Sequence, residues 1–124
     1  MEHSPEFLAL VTDAKTRVRE CTLADLARWR EDGLAFRLID VREDDEWCAG
    51  HAAGAKHLGR GVLERDIRAH VPAKDATIVL YCGGGFRSAL AADNVAKMGY
   101  SAVWSLAGGW KAWVAAGLPQ AHDR

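Results

Sequence analysis

Apolar positions along the chain fall into two alternating kinds of pattern. Phe7, Leu8, Leu10 and Val11 follow Ser4-Pro5-Glu6, and proline at a first helical position predicts a short helix from Ser4 to about Lys15. Thr16 to Glu20 is read as a short strand with Val18 as its apolar residue. Thr22 with Asp25 three residues on forms an N-cap pair, and Leu23, Leu26 and Ala27 give the next helix, which Gly33 closes. Phe36 to Val41, FRLIDV, is an apolar strand that ends in Asp40-Val41-Arg42. Glu43 to Gly54 is polar and reads as loop with one turn of helix, and Ala55 to Leu58 as a short strand. Val62, Leu63 and Ile67 mark a helix over Gly61 to His70, stopped by Pro72. Thr77 to Tyr81 is a short, continuous apolar strand. A helix from Ser88 to about Met98 follows, then a strand over Tyr100 to Trp104, the turn Ala107-Gly108-Gly109 and a last helix over Trp110 to Ala116. Strands alternating with helices predict an α/β domain with a mostly parallel sheet and helices on both faces.

Composition narrows the class without changing this picture. The 124 residues fit one core. Hydrophobic residues make up 49% and charged residues 27%, and the net charge of -1 argues against a nucleic-acid surface or a basic membrane patch. No apolar run has the length of a membrane span, and the first six residues lack the layout of a signal peptide. Three cysteines, Cys21, Cys48 and Cys82, with no CxxC spacing argue against a disulfide framework or a zinc site. A cytoplasmic, reducing location is the simplest inference.

The candidate chemistry is concentrated in Thr77 to Ala92, TIVLYCGGGFRSALAA. A cysteine ends a buried strand, three glycines and Phe86 follow, and Arg87-Ser88 open a helix. Open α/β sheets carry their sites at the carboxyl ends of strands. Gly83, Gly84 and Gly85 allow backbone amides to converge, and the helix dipole reinforces such a nest. A Cys82 thiolate would be stabilised there and would be the nucleophile. Arg87 adds a charge able to fork onto an oxyanion. The plain alternative is a cysteine that packs as a small hydrophobe beside a flexible turn.

Other residues admit two roles. Asp40 and Arg42 end a strand on the same sheet edge as Cys82. They could touch substrate, but a structural ion pair tying down the following loop, with Glu46 nearby, is favoured. His51 in Gly50-His51-Ala52-Ala53-Gly54-Ala55 could form a dyad with the cysteine, but a loop-bonding histidine is favoured, because a glycine nest needs no base. Trp47 and Phe86 are candidates for an apolar wall. Trp110 and Trp113 suit the core, and Cys21 and Cys48 lack a glycine-rich setting.

Four stretches in order resemble the rhodanese family over about Thr22 to Pro119: Asp40-Val41-Arg42 with Glu46; Gly50 to Ala55; Cys82 to Arg87 with Ser88; and Leu106-Ala107-Gly108-Gly109-Trp110 with Trp113. The resemblance implies a three-layer α/β/α domain over residues 20–120 with a roughly five-stranded sheet, preceded by a helical extension over residues 1–19. It implies a sulfurtransferase in which Cys82 takes a sulfane sulfur from a thiosulfate-like donor, holds it as a persulfide within the amides of Gly83 to Arg87, and passes it to cyanide, a thiol or a protein partner. No metal or organic cofactor is implied. The loop departs from well-known rhodaneses in offering no lysine or second arginine, so a dianionic donor meets one positive charge. A sulfur-relay or binding module is the alternative, and a cysteine phosphatase or arsenate reductase a further one. Against these last, the resemblance implies five residues between cysteine and arginine in the phosphatases, where this chain has four.

Overall fold

A computed structural model describes residues 3–122. Helix α1, Pro5–Lys15, starts at Ser4, whose hydroxyl accepts a hydrogen bond from the Phe7 amide at 3.1 Å. Strand β1 is Arg19–Cys21, and α2, Leu23–Glu31, begins in the Thr22–Asp25 capping box. There follow β2, Arg37–Asp40, α3, Asp44–Ala49, β3, His51–Ala52, and β4, Lys56–His57. Helix α4 is Arg60–His70, β5 is Thr77–Tyr81, α5 is Phe86–Lys97 and β6 is Ala102–Leu106. The short helix α6, Gly109–Ala115, and β7, Gln120–Ala121, complete the order.

Five strands form one parallel sheet in the order β1-β6-β5-β2-β4, with β5 in the centre. Successive side chains of β5 point to opposite faces. Ile78 and Leu80 join Leu63, Ile67, Ala91 and Val95 on the side of α4 and α5. Val79 and Tyr81 join Leu26 and Trp113 on the side of α2 and α6. The result is the expected α/β/α sandwich, and β5 is buried on both faces because its sequence is apolar without interruption.

Several local expectations are corrected. The first strand begins at Arg19, because Thr16 is spent as the C-cap of α1. The strand expected over Tyr100 to Trp104 is shifted to Ala102–Leu106. Tyr100 instead anchors the turn, its hydroxyl donating to the Val71 carbonyl at 2.6 Å. Helix α5 starts at Phe86 rather than Ser88, with Gly85 at a φ of 106° as its cap. The one turn of helix expected between Glu43 and Gly54 is the six-residue α3, started by the acidic run Asp44-Asp45-Glu46, with the Glu43 amide donating to the Glu46 carboxylate at 3.0 Å. The antiparallel β3–β7 ribbon was not expected.

The amino-terminal helix packs against α5. Val11 and Ala14 are buried, and Arg17 forks onto Asp93 of α5 at 3.0 and 2.8 Å. Asp13 and Lys97 extend this ion-pair cluster. The consequence for the site is that His3 and Phe7 are held beside the end of the sheet where β5 stops.

Candidate active site

Cys82 is the first residue after β5, and its side chain is buried. The turn through Gly83 to Gly85 brings the chain back over it. The amides of Gly85 and Ser88 donate to Sγ at 3.1 and 3.3 Å. The thiol lies 3.5 Å from the Ser88 hydroxyl, which in turn is 2.8 Å from the Ser105 hydroxyl on β6. Ser88 and Ser105 are both fully buried, so this chain of polar groups is closed off from solvent. Two amides at the start of the twelve-residue helix α5 therefore face the sulfur with their positive ends, an arrangement that stabilises negative charge on it.

The loop is fastened from behind by α6. The amides of Trp110 and Lys111 donate to the carbonyls of Cys82 and Gly83 at 2.8 and 3.1 Å. This needs close backbone approach. Gly109 has a φ of 47°, and a Cβ there would overlap the Cys82 carbonyl oxygen. The Gly-Gly-Trp stretch is thus a clamp on the loop's backbone, and the buried Cys82 side chain borders the cleft above that loop.

Arg87, on the first turn of α5, reaches Glu46 of α3 in a two-pronged ion pair, with Nη1–Oε1 at 2.7 Å and Nη2–Oε2 at 3.0 Å. These bonds, followed by the Glu43 amide, hold the Glu46 carboxyl down at about 2, against the opposing effect of partial burial. The same bonds raise Arg87 above its ordinary value, with smaller contributions from Cys82. Both side chains are about one-third exposed.

A cleft of about 880 Å³ opens over this loop. Cys82, Gly83, Gly84, Phe86, Arg87 and Glu46 line it. Residues whose part in it the sequence did not disclose complete the lining: His3 and Phe7 from the amino-terminal segment, and Gly108, Lys111 and Ala112 from the α6 end. His3 and Phe86 meet edge to face at 5.1 Å, and His3 and Phe7 are also 5.1 Å apart. Only the position of Lys111 directly after the Gly-Gly-Trp clamp could have signalled its role.

Asp40, Arg42 and His51 lie outside this lining. Asp40 and Arg42 form a buried pair with contacts of 2.8 to 3.1 Å, and Arg42 also donates to the Gly50 carbonyl at 2.6 Å. The guanidinium is sandwiched near Trp110 at 4.9 Å and Tyr81 at 5.7 Å. His51 is buried, stacks flat on Trp47 at 3.4 Å, and its Nδ1 lies 2.9 Å from the Trp47 carbonyl. Trp47 is not a wall of the cleft. It is held between His51 and His57, where its ring is covered on both faces. Burial pushes the Cys21 thiol up to about 12, while Cys48 is exposed on α3. Among the described residues no cluster of histidine, cysteine and carboxylate groups could hold a metal ion, and no helix is long and apolar enough to cross a membrane.

The chain is thus a parallel α/β/α sandwich with a cysteine cradled by amides at the end of its central strand. Residues 22–116 match the rhodanese-like domain, and the chain belongs to that family. It is 33% identical over 111 residues to the probable adenylyltransferase/sulfurtransferase MoeZ of Mycobacterium tuberculosis, an alignment covering 87% of this chain and 28% of that protein. The chain therefore spans little more than a quarter of that relative. Among solved structures, a Rhodopseudomonas palustris protein of unknown function, described as a possible tyrosine phosphatase, is 30% identical with a TM-score of 0.82 and 96% of each chain covered. The polysulfide-sulfur transferase homodimer of Wolinella succinogenes is 28% identical with a TM-score of 0.78, covering 94% of this chain and 87% of that one.

Proposed function

We propose that this protein is a sulfurtransferase that carries sulfur as a persulfide on Cys82. The observation that carries this reading is the pair of amides, Gly85 and Ser88, aimed at Sγ in a cleft open to small molecules. The Cys82 thiolate attacks the outer sulfur of the donor. The sulfur–sulfur bond of thiosulfate breaks and its electron pair leaves with sulfite. The new terminal sulfur on Cys82 carries one negative charge, which the α5 amides and the helix dipole favour. Cyanide or a thiol then takes that sulfur, and Cys82 returns to the thiolate. Gly83, Gly84, Phe86 and Arg87 shape the binding surface, the buried Gly85 and Ser88 act through their amides on the sulfur, and Asp40, Arg42 and His51 hold the neighbouring loops. The chemistry needs no metal or organic cofactor, and a reducing compartment such as the cytoplasm keeps the thiol available.

Relatives named as sulfurtransferases support the general reaction. A relay reading, in which a protein delivers or collects the sulfur, draws support from Arg87. Its fork is already engaged by Glu46, which weakens the attraction for a small dianion. A phosphatase reading is disfavoured by the four-residue spacing between Cys82 and Arg87 and by the lack of a loop carboxylate to protonate a leaving alcohol. The test is thiocyanate release from thiosulfate, or from a persulfidated protein donor, measured beside hydrolysis of an aryl phosphate. Sulfur transfer that disappears in Cys82→Ser is expected, with no phosphate release above background. Cys82-dependent phosphate release without sulfur transfer would overturn the assignment.

A further inference from the structure

The cleft is larger and less charged than a small dianion requires. Its volume is about 880 Å³, and the side chains that face it are mainly apolar or aromatic. Arg87 and Glu46 neutralise each other as a close pair, so they present little net charge to a ligand. Lys111 contributes one positive charge to the lining. Among the described residues that line the cleft, Lys111 is the one cation without a carboxylate partner, and Lys15, 5.3 Å over the Phe86 ring outside the lining, is already paired with Glu20; a monoanion is therefore better matched than a dianion.

The rest of the wall comes from outside the family match. Residues 22–116 carry the match, but Phe7 on α1 and His3 before it line the cleft. Phe7 lies 6.4 Å from Phe86 at an interplanar angle of 57°, and His3 bridges the two rings. This is an aromatic corner beside the cysteine loop. It is held in place by the packing of α1 on α5 and by the Arg17–Asp93 ion pair. Phe7 is only half-buried, so part of its ring remains available to a ligand. An aromatic group entering this corner would meet ring edges and faces at offset and tilted geometries, the arrangements that aromatic pairs favour.

We propose that the amino-terminal helix makes this site selective for aromatic monoanionic sulfur donors of the arylthiosulfonate type, with Phe7 as the specificity-determining residue and Lys111 as the partner of the anionic sulfonyl oxygens. The proposal deepens the sulfur-transfer reading and rests on it for the reaction, though not for binding. With such a donor, the Cys82 thiolate attacks the outer sulfur. The bond between that sulfur and the sulfonyl sulfur breaks, and its electron pair leaves on an arylsulfinate. Cys82 keeps the persulfide, which cyanide converts to thiocyanate and thiolate.

Binding is tested with unreactive probes that keep the charge and vary the body: benzenesulfonate, methanesulfonate and sulfate, titrated into the full chain and followed by nuclear magnetic resonance. Benzenesulfonate should bind about tenfold more tightly than methanesulfonate, the scale expected of aromatic contact plus ring burial. It should shift the resonances of Phe7, Gly84 and Lys111. In Phe7→Ala the preference should collapse to about twofold, and in Phe7→Leu it should be intermediate. Phe7→Leu keeps an apolar side chain on α1, so it remains informative if the alanine variant loosens the helix. Lys111→Ala should weaken both sulfonates and leave their ratio in place. Equal affinities for the two sulfonates, or a preference untouched by both Phe7 variants, would overturn the proposal. The same ratio read in kcat/KM with benzenethiosulfonate and methanethiosulfonate separates the two levels. Selective binding without sulfur on Cys82 supports the aromatic cleft and sinks the transfer reading. Turnover of both donors alike, whatever residue stands at position 7, sinks the aromatic cleft and leaves the transfer reading intact.

Discussion

Replacing Glu46 by glutamine separates the charge of the Glu46–Arg87 pair from its shape. The lowering of the Glu46 carboxyl from 4.5 to about 2 would correspond to roughly 3 kcal/mol if the pair were fully shielded. Both side chains are about one-third exposed, so solvent screening reduces this to about 1 to 2 kcal/mol. A carboxyl whose folded value is depressed stabilises the fold above its unfolded value and loses that contribution as pH falls toward the folded one. The wild type should therefore exceed Glu46→Gln in stability by about 1 to 2 kcal/mol at pH 7. The gap should begin to close near pH 4.5 and be nearly gone by about pH 2. Denaturant unfolding at several pH values reads this difference directly. At the same time the variant leaves the Arg87 charge uncompensated at the lip of the cleft. Its KM for thiosulfate should fall several-fold at low ionic strength, and added salt should erase the gain. A stability gap that does not change with pH, together with an unaltered KM, would refute the claim that Glu46 neutralises Arg87.

Two other substitutions probe how Cys82 is held. Ser88→Ala removes the hydroxyl between Cys82 and Ser105 while sparing the Ser88 amide; it should cost about 1 kcal/mol in chemical denaturation and slow alkylation of Cys82 by iodoacetamide several-fold. Gly109→Ala drives a methyl group into the Cys82 carbonyl and forces a positive φ on alanine; a loss of about 2 to 3 kcal/mol is expected, with a drop in sulfur transfer larger than that caused by alanine at the open position Gly61. Equal effects at the two glycines would remove the clamp from the account.

The parts of this site that could be read from the chain are those made by neighbours in sequence. Thr77 to Tyr81 is apolar throughout, so its burial in the centre of a parallel sheet followed directly. Cys82, the glycines and the start of α5 lie within a few residues of one another, and their geometry is local. The capping box at Thr22 and Asp25 is equally local. What escaped was long-range. Glu46 and Arg87 are 41 residues apart, and an acidic residue on a polar segment carries no mark of its partner. Trp47 looked like a pocket wall because tryptophan serves both roles, and only the folded chain sets it between two histidine rings. The β3–β7 ribbon is two residues wide, too short for any periodic signal. Phe7 and His3 reached the cleft through the packing of α1 on α5, which depends on Arg17 finding Asp93 at a separation of 76 residues.

The central claim is that Cys82 carries the sulfur. Intact-mass and peptide mass spectrometry of the protein after exposure to thiosulfate or an arylthiosulfonate, before and after cyanide, tests it most directly. A gain of one sulfur atom is expected on the peptide containing Cys82, with its removal by cyanide and release of thiocyanate, and no such gain in Cys82→Ser. Cyanide-labile sulfur found instead on the exposed Cys48, and persisting in Cys82→Ser, would contradict it.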